Sequence, residues 1–150
     1  MLFRSVELSL NSMSRIFPAR LEALGLALEF VAQALRSFGL PDDEARRAEL
    51  AVEELFTNTC THGVGASRAA GAREELTVRI NVIATEGGVE IAYVDDAPAF
   101  DPLARAGGPA EEPRQEPGGL GGRIILGMAR TARYERDGRL NRTCLRFGRA

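Results

Sequence analysis

Apolar and polar residues alternate over positions 3–10, with Val6, Leu8 and Leu10 on one side and Glu7 and Ser9 on the other, the period of a half-buried strand. The period then lengthens. Pro18 suits the first turn of a helix, and Leu21, Leu24, Leu28, Val31 and Leu35 recur after it at helical spacing until Gly39 ends the segment. Pro41-Asp42-Asp43-Glu44 supplies proline and acidic residues for the first turn of a second helix. Its core-facing side is Ala45, Ala48, Val52, Leu55, Phe56 and Thr59. Gly63 to Gly71 reads as a small-residue loop. Leu76 to Val82 and Val89 to Val94 then read as strands of a hairpin turning at Glu86-Gly87-Gly88. The stretch from Arg105 to Pro117 has no periodicity and is rich in Gly, Pro, Ala and Glu, a composition and length that suit a lid over about 103–118. A third helix is expected over about Leu120 to Ala129, then two strands, Thr131 to Arg136 and Asn141 to Phe147, around Asp137-Gly138. This order predicts one α+β domain over 1–150: a two-layer sandwich of a mixed, mostly antiparallel sheet with helices on one face.

Composition narrows the chemistry. The chain has 150 residues, 45% apolar and 27% charged, with a net charge of -2, so no general affinity for nucleic acid or an anionic membrane is expected. No window approaches the roughly 20 apolar residues of a membrane span. The opening Met1-Leu2-Phe3-Arg4-Ser5-Val6-Glu7 lacks the apolar core of a secretory signal, so a cytoplasmic protein is expected. All 19 basic residues are arginine. Without lysine there is neither a Walker-type phosphate loop nor Schiff-base chemistry. Cys60 and Cys144 have no metal-binding spacing, and His62 is the single histidine.

Three segments carry the remaining chemistry. In Glu53-Glu54-Leu55-Phe56-Thr57-Asn58, helical winding aligns Glu54 and Asn58, and His62 one turn further, as one stripe. An asparagine carbonyl is a suitable hard ligand for Mg²⁺, and a glutamate one turn away can orient or deprotonate an attacking hydroxyl. In Tyr93-Val94-Asp95-Asp96-Ala97-Pro98-Ala99-Phe100-Asp101-Pro102, Asp95 follows a strand where burial is expected. A buried carboxylate needs donors, and the exocyclic amine of adenine is one. Phe100 either packs under a base or plugs the core. Gly118, Gly119, Gly121 and Gly122, with Leu120 among them, precede the third helix, where backbone N–H groups and the helix N-terminus suit phosphate oxygens. Arg105, Arg114 and Arg123 are the nearest cations in sequence. Each motif taken alone has an ordinary structural explanation; their order and spacing together indicate a nucleotide site, for ATP with a divalent cation.

In that order the segments resemble the GHKL (Bergerat-fold) ATPases, and within them the small anti-sigma-factor serine/threonine kinases, over roughly Val6 to Phe147. The helix segment resembles the family's N box, with Glu54 at its glutamate and Asn58 at its Mg²⁺-binding asparagine; His62-Gly63 falls where a histidine and a small residue are common. The acidic turn resembles the first glycine box, with Asp95 at the adenine-reading position. Gly118 to Ile125 resembles the second, phosphate-contacting box. Tyr134 to Gly138 and Asn141-Arg142 look like the closing hairpin. Two positions depart from the pattern. Ala97 stands where the family has glycine, and a methyl group there would crowd the base or be strained if φ is positive. Cys144 stands where the family has a threonine near the adenine, and a thiol is a weaker donor.

The resemblance implies a kinase that binds ATP and Mg²⁺, phosphorylates a serine or threonine of an anti-sigma-factor antagonist, and holds a sigma factor or other regulator in turn. In it Glu54 handles the hydroxyl, Asn58 holds Mg²⁺, Asp95 reads adenine, and the glycines bind phosphates. Ala97 and Cys144 motivate the alternative, a catalytically silent binding module. Histidine-kinase chemistry would need a phosphoacceptor helix for which the sequence leaves no room. The family's members often form homodimers, and the sequence leaves oligomeric state open.

Overall fold

A computed structural model describes residues 11–71, 74–104, 122, 124–125 and 127–149. The strand expected at 3–10, the lid beyond Ala104, and Gly118, Gly119, Leu120, Gly121 and Arg123 lie outside these residues. Among the described residues five strands form one sheet: β1 (Ser12–Pro18), β2 (Thr77–Thr85), β3 (Gly88–Asp95), β4 (Thr131–Asp137) and β5 (Leu140–Gly148). They stand in the order β1-β2-β3-β5-β4, and every pairing among the described residues is antiparallel. The two expected hairpins are present, β2–β3 and β4–β5, each with a positive-φ glycine in its turn, Gly87 (φ 86) and Gly138 (φ 58).

The helical layer comprises a 3-10 turn (Leu21–Ala23), α1 (Leu24–Ser37), α2 (Asp42–Asn58), a π-helical turn (Thr59–Gly63) and α3 (Val64–Ala69). Two expectations change here. Pro18 does not start a helix; it ends β1, an edge strand on which a residue without an N–H is tolerated. The apolar stripe of α1 is accordingly displaced: Ala27, Phe30, Val31, Ala34 and Leu35 are buried, while Leu21 is 54% exposed. The segment read as a loop after Gly63 is instead mostly helical, because its alanines favour helix and a π turn carries the winding straight on from α2. The end of α1 follows its expected signal. Gly39 takes φ 75, and the bonds Gly39 N–H to Arg36 O and Leu40 N–H to Leu35 O form a Schellman cap.

Alternation in the strands sets the layers. Val78, Ile80 and Val82 of β2, Val89, Ile91 and Tyr93 of β3, and Leu145 and Phe147 of β5 join the buried faces of α1 and α2 in one core. The same alternation carries Asp95, Asn141 and Thr143 onto the helical side of the sheet, at the end of the core where α2 finishes. Among the described residues no helix is long and apolar enough to cross a membrane.

Candidate functional site

Where β3 and β5 meet the end of α2, polar side chains replace the apolar core. In the β3–β5 ladder Tyr93 faces Thr143 and Asp95 faces Asn141. From α2 and its π turn come Leu55, Asn58, Thr59 and Gly63, and from the acidic turn Ala97, Phe100 and Pro102. Together these eleven residues line a small cavity of about 20 Å³, room for one water molecule.

Asp95, 8% exposed, is held from three sides. Thr59 Oγ1 donates to its Oδ2 (2.9 Å), and Asn141 Nδ2 (2.9 Å) and the Ala97 N–H (3.0 Å) donate to Oδ1. Such donors offset the cost of burying a carboxylate. Among the described residues Oδ2 accepts from Thr59 alone and keeps further acceptor capacity. Behind it, Tyr93 Oη lies 2.7 Å from Thr59 Oγ1 and 3.1 Å from Leu55 O; with the Thr59 proton on Asp95, the phenol donates to Thr59. Burial pushes the Tyr93 phenol well above its ordinary 10.0; the Thr59 hydrogen bond opposes this, and the charges of Asp95 and Cys60 add to it. Tyr93 is therefore a neutral donor throughout the physiological range.

Asn58 is the last residue of α2, 7% exposed, and its Nδ2 is buried without a hydrogen-bond partner among the described residues. An unpaired buried amide is rare and costs about 1–3 kcal/mol. Rotation about its last bond exchanges the amide's two ends, so the carbonyl can be offered to a cation. No cluster of three or more His, Cys, Asp or Glu suited to a metal exists among the described residues. The Asn58 carbonyl fits Mg²⁺, which keeps waters and takes further ligands from phosphates.

The other expected residues are placed as follows. Glu54 sits one turn before Asn58, partly exposed, and does not line the cavity. The stripe through His62 does not continue with α-helical winding, because the π turn follows directly on Asn58. His62 instead stacks on Phe100, with centroids 6.0 Å apart and planes at 16°, and Phe100 is 41% exposed. Ala97 lines the cavity without strain, since among the described residues no residue other than glycine has positive φ. Its methyl lies where a Cβ on Gly63 would approach to 2.9 Å. Gly122 is helical and buried.

Cys144 does not reach the site. It pairs with Ala92 and so lies on the face of the sheet turned away from the helices, while its neighbour Thr143 lines the cavity. Thr143, Asn141 and Tyr93 were not anticipated as site residues, although a signal for them exists: each shares the period-two face of core residues, Leu145 and Phe147 in β5 and Val89 and Ile91 in β3.

The sheet, its helical layer and the polar cavity at the end of α2 form an α+β sandwich of the histidine kinase-like ATPase type. The family model of the histidine kinase-like ATPase domain matches residues 17–147, and the chain belongs to that family. A solved structure, the RsbU and RsbW domains of Rv1364c from Mycobacterium tuberculosis, is similar in fold, with a TM-score of 0.61 at 13% sequence identity. The likeness covers 93% of this chain, which spans 33% of the length of that one. No curated protein matches the sequence.

Proposed function

We propose that the chain binds ATP with Mg²⁺ and acts as an anti-sigma-factor-type regulator, phosphorylating a serine or threonine of an antagonist protein. The observation that carries this reading is the uncommitted Asn58 amide beside a carboxylate with capacity to spare, both buried in one cavity. Asp95 accepts a hydrogen bond from the adenine amine, with Thr59 and Thr143 beside it. Asn58 offers its carbonyl to Mg²⁺, which when bound neutralises phosphate charge. Glu54, partly exposed one turn away, orients the partner's hydroxyl and takes its proton. Gly118, Gly119, Leu120, Gly121 and Gly122 contact phosphate. The stacked Phe100–His62 rings border the cavity on the side of the acidic turn. The antagonist, and a sigma factor or other regulator released or held in exchange, are protein partners, and a second copy of the chain, in a homodimer, is a further one.

The test is thermal stability with and without ATP and Mg²⁺, for wild type and Asn58→Ala. A ligand at a hundred times its Kd stabilises by about 2.7 kcal/mol. A Mg²⁺-dependent rise of that order, lost in Asn58→Ala, is expected. The small cavity and the Ala97 methyl favour a second reading, a binding module without phosphoryl transfer. No rise at millimolar ATP would establish that one instead.

A further inference from the structure

Asn141 has more hydrogen-bond partners than a sheet residue needs. It is 4% exposed and stands near the start of β5, opposite Asp95 of β3 and Arg136 of β4. Its Nδ2 lies within bonding distance of Asp95 Oδ1 (2.9 Å), Pro98 O (3.1 Å) and Ala97 O (3.2 Å). Its Oδ1 accepts from Tyr134 Oη (2.5 Å), Arg136 Nη1 (3.1 Å) and the Phe100 N–H (3.2 Å). Arg136 Nη1 also reaches Ala97 O (2.8 Å).

This arrangement permits one orientation only. Acceptors surround the nitrogen and donors surround the oxygen, so turning the amide would set its oxygen against the Asp95 carboxylate and its nitrogen against the Arg136 guanidinium. The contrast with Asn58, whose amide has an end to spare, is a contrast in use. The acidic turn leaves the sheet after Asp95, so the carbonyls of Ala97 and Pro98 have no ladder partner. Asn141 supplies donors in place of the missing strand and ties Asp95, Ala97, Pro98 and Phe100 to the β4–β5 hairpin. With the Ala97 N–H it holds Oδ1, which fixes the carboxylate's rotation and leaves Oδ2 with Thr59, a residue of the cavity lining.

We infer that Asn141 is the positioning residue for base recognition: it holds the Asp95 carboxylate at the angle at which Oδ2 meets the 6-amino group of adenine, and Tyr134 and Arg136 hold Asn141. The inference rests on the nucleotide reading above. It differs from a merely structural role in one respect, since a structural tie changes stability but not the choice between bases.

The experiment compares wild type, Asn141→Ala and Tyr134→Phe in two measurements. The first is hydrogen exchange at the Ala97 and Phe100 amides without nucleotide. Exchange is expected to quicken by about tenfold or more in Asn141→Ala, with the Tyr93 and Thr143 ladder amides unchanged. The second is the ratio of affinities for ATP and inosine triphosphate, which carries a 6-oxo group in place of the amine. Wild type is expected to prefer ATP, and Asn141→Ala to lose about tenfold of that preference, the worth of one hydrogen bond to a charged group. Tyr134→Phe removes one of the donors on Oδ1 and shifts both readouts in the same direction by less, which covers the case in which Asn141→Ala fails to fold. An unchanged ATP preference in variants with faster exchange overturns the inference while leaving the nucleotide reading intact. A wild type that binds neither triphosphate overturns both, whatever the exchange shows.

Discussion

Asn58 and Glu54 lie one helical turn apart and differ in what the fold asks of them. Asn58 is buried with an unspent amide, whereas Glu54 is partly exposed and outside the cavity. Removing each side chain should therefore give different results. Glu54→Ala is expected to retain ATP binding and lose phosphoryl transfer to the antagonist by about a hundredfold or more, the usual worth of a positioned general base. Labelled γ-phosphate transfer alongside a binding titration would check it, and equal transfer by wild type and variant would remove Glu54 from the mechanism. The binding half of the comparison matters, because a variant that also lost affinity would have been acting through the helix.

Among the elements, glycine positions show where backbone contact sets the limits. A Cβ on Gly88 would sit 2.0 Å from the Phe147 carbonyl oxygen, so β3 and β5 can come together there only without a side chain. Gly88→Ala is expected to destabilise by about 3 kcal/mol through forced backbone shifts. Gly25 in α1 has open space and ordinary helical φ, and Gly25→Ala should stabilise by about 0.5–1 kcal/mol. Urea midpoints for the two variants should move in opposite directions. The elements also show how far the sequence could be read. α2 and both hairpins were legible because strong periodicity and turn glycines point to the same answer. β1 was not, since Ser12, Ser14 and Arg15 give an edge strand little apolar pattern and Pro18 resembles a helix start. Of the residues lining the cavity, Asn58 and Asp95 are legible because they sit in local motifs. Thr143 and Asn141 were missed because their relevance depends on a cross-strand register, and a displacement of one residue exchanges the faces of a strand.

For the molecule as a whole, two protonated groups couple stability to alkaline pH. Folded Tyr93 keeps its proton well above 10.0, chiefly through burial, whereas the unfolded chain releases it near that value. Above this pH the unfolded state binds fewer protons, so stability falls as pH rises, by about 1.4 kcal/mol for each unit. Cys60, raised from 9.0 to about 11 by burial first and the charge of Glu22 second, acts in the same direction between those two values. Below 9.0 both groups are protonated in either state and contribute no slope. Stability measured from about pH 8 to about pH 11 should therefore decline, and Tyr93→Phe should flatten the decline above pH 10 while costing about 1 kcal/mol at neutral pH through the lost hydroxyl contacts. A decline of the same steepness in Tyr93→Phe would assign the alkaline transition elsewhere.

The close approach of Gly63 and Ala97 joins the two layers in a way that single substitutions cannot reveal. Between them is space for one methyl group, and a Cβ on Gly63 would come within 2.9 Å of the one Ala97 already places there. Gly63→Ala alone should cost about 1–3 kcal/mol. Combined with Ala97→Gly, which hands the vacancy to the other side, most of that loss should return, with a coupling of about 1 kcal/mol or more in the double-mutant cycle. The two positions then behave as one volume with two possible owners, and an alanine in the acidic turn is admissible because the helix opposite it has given up its own side chain.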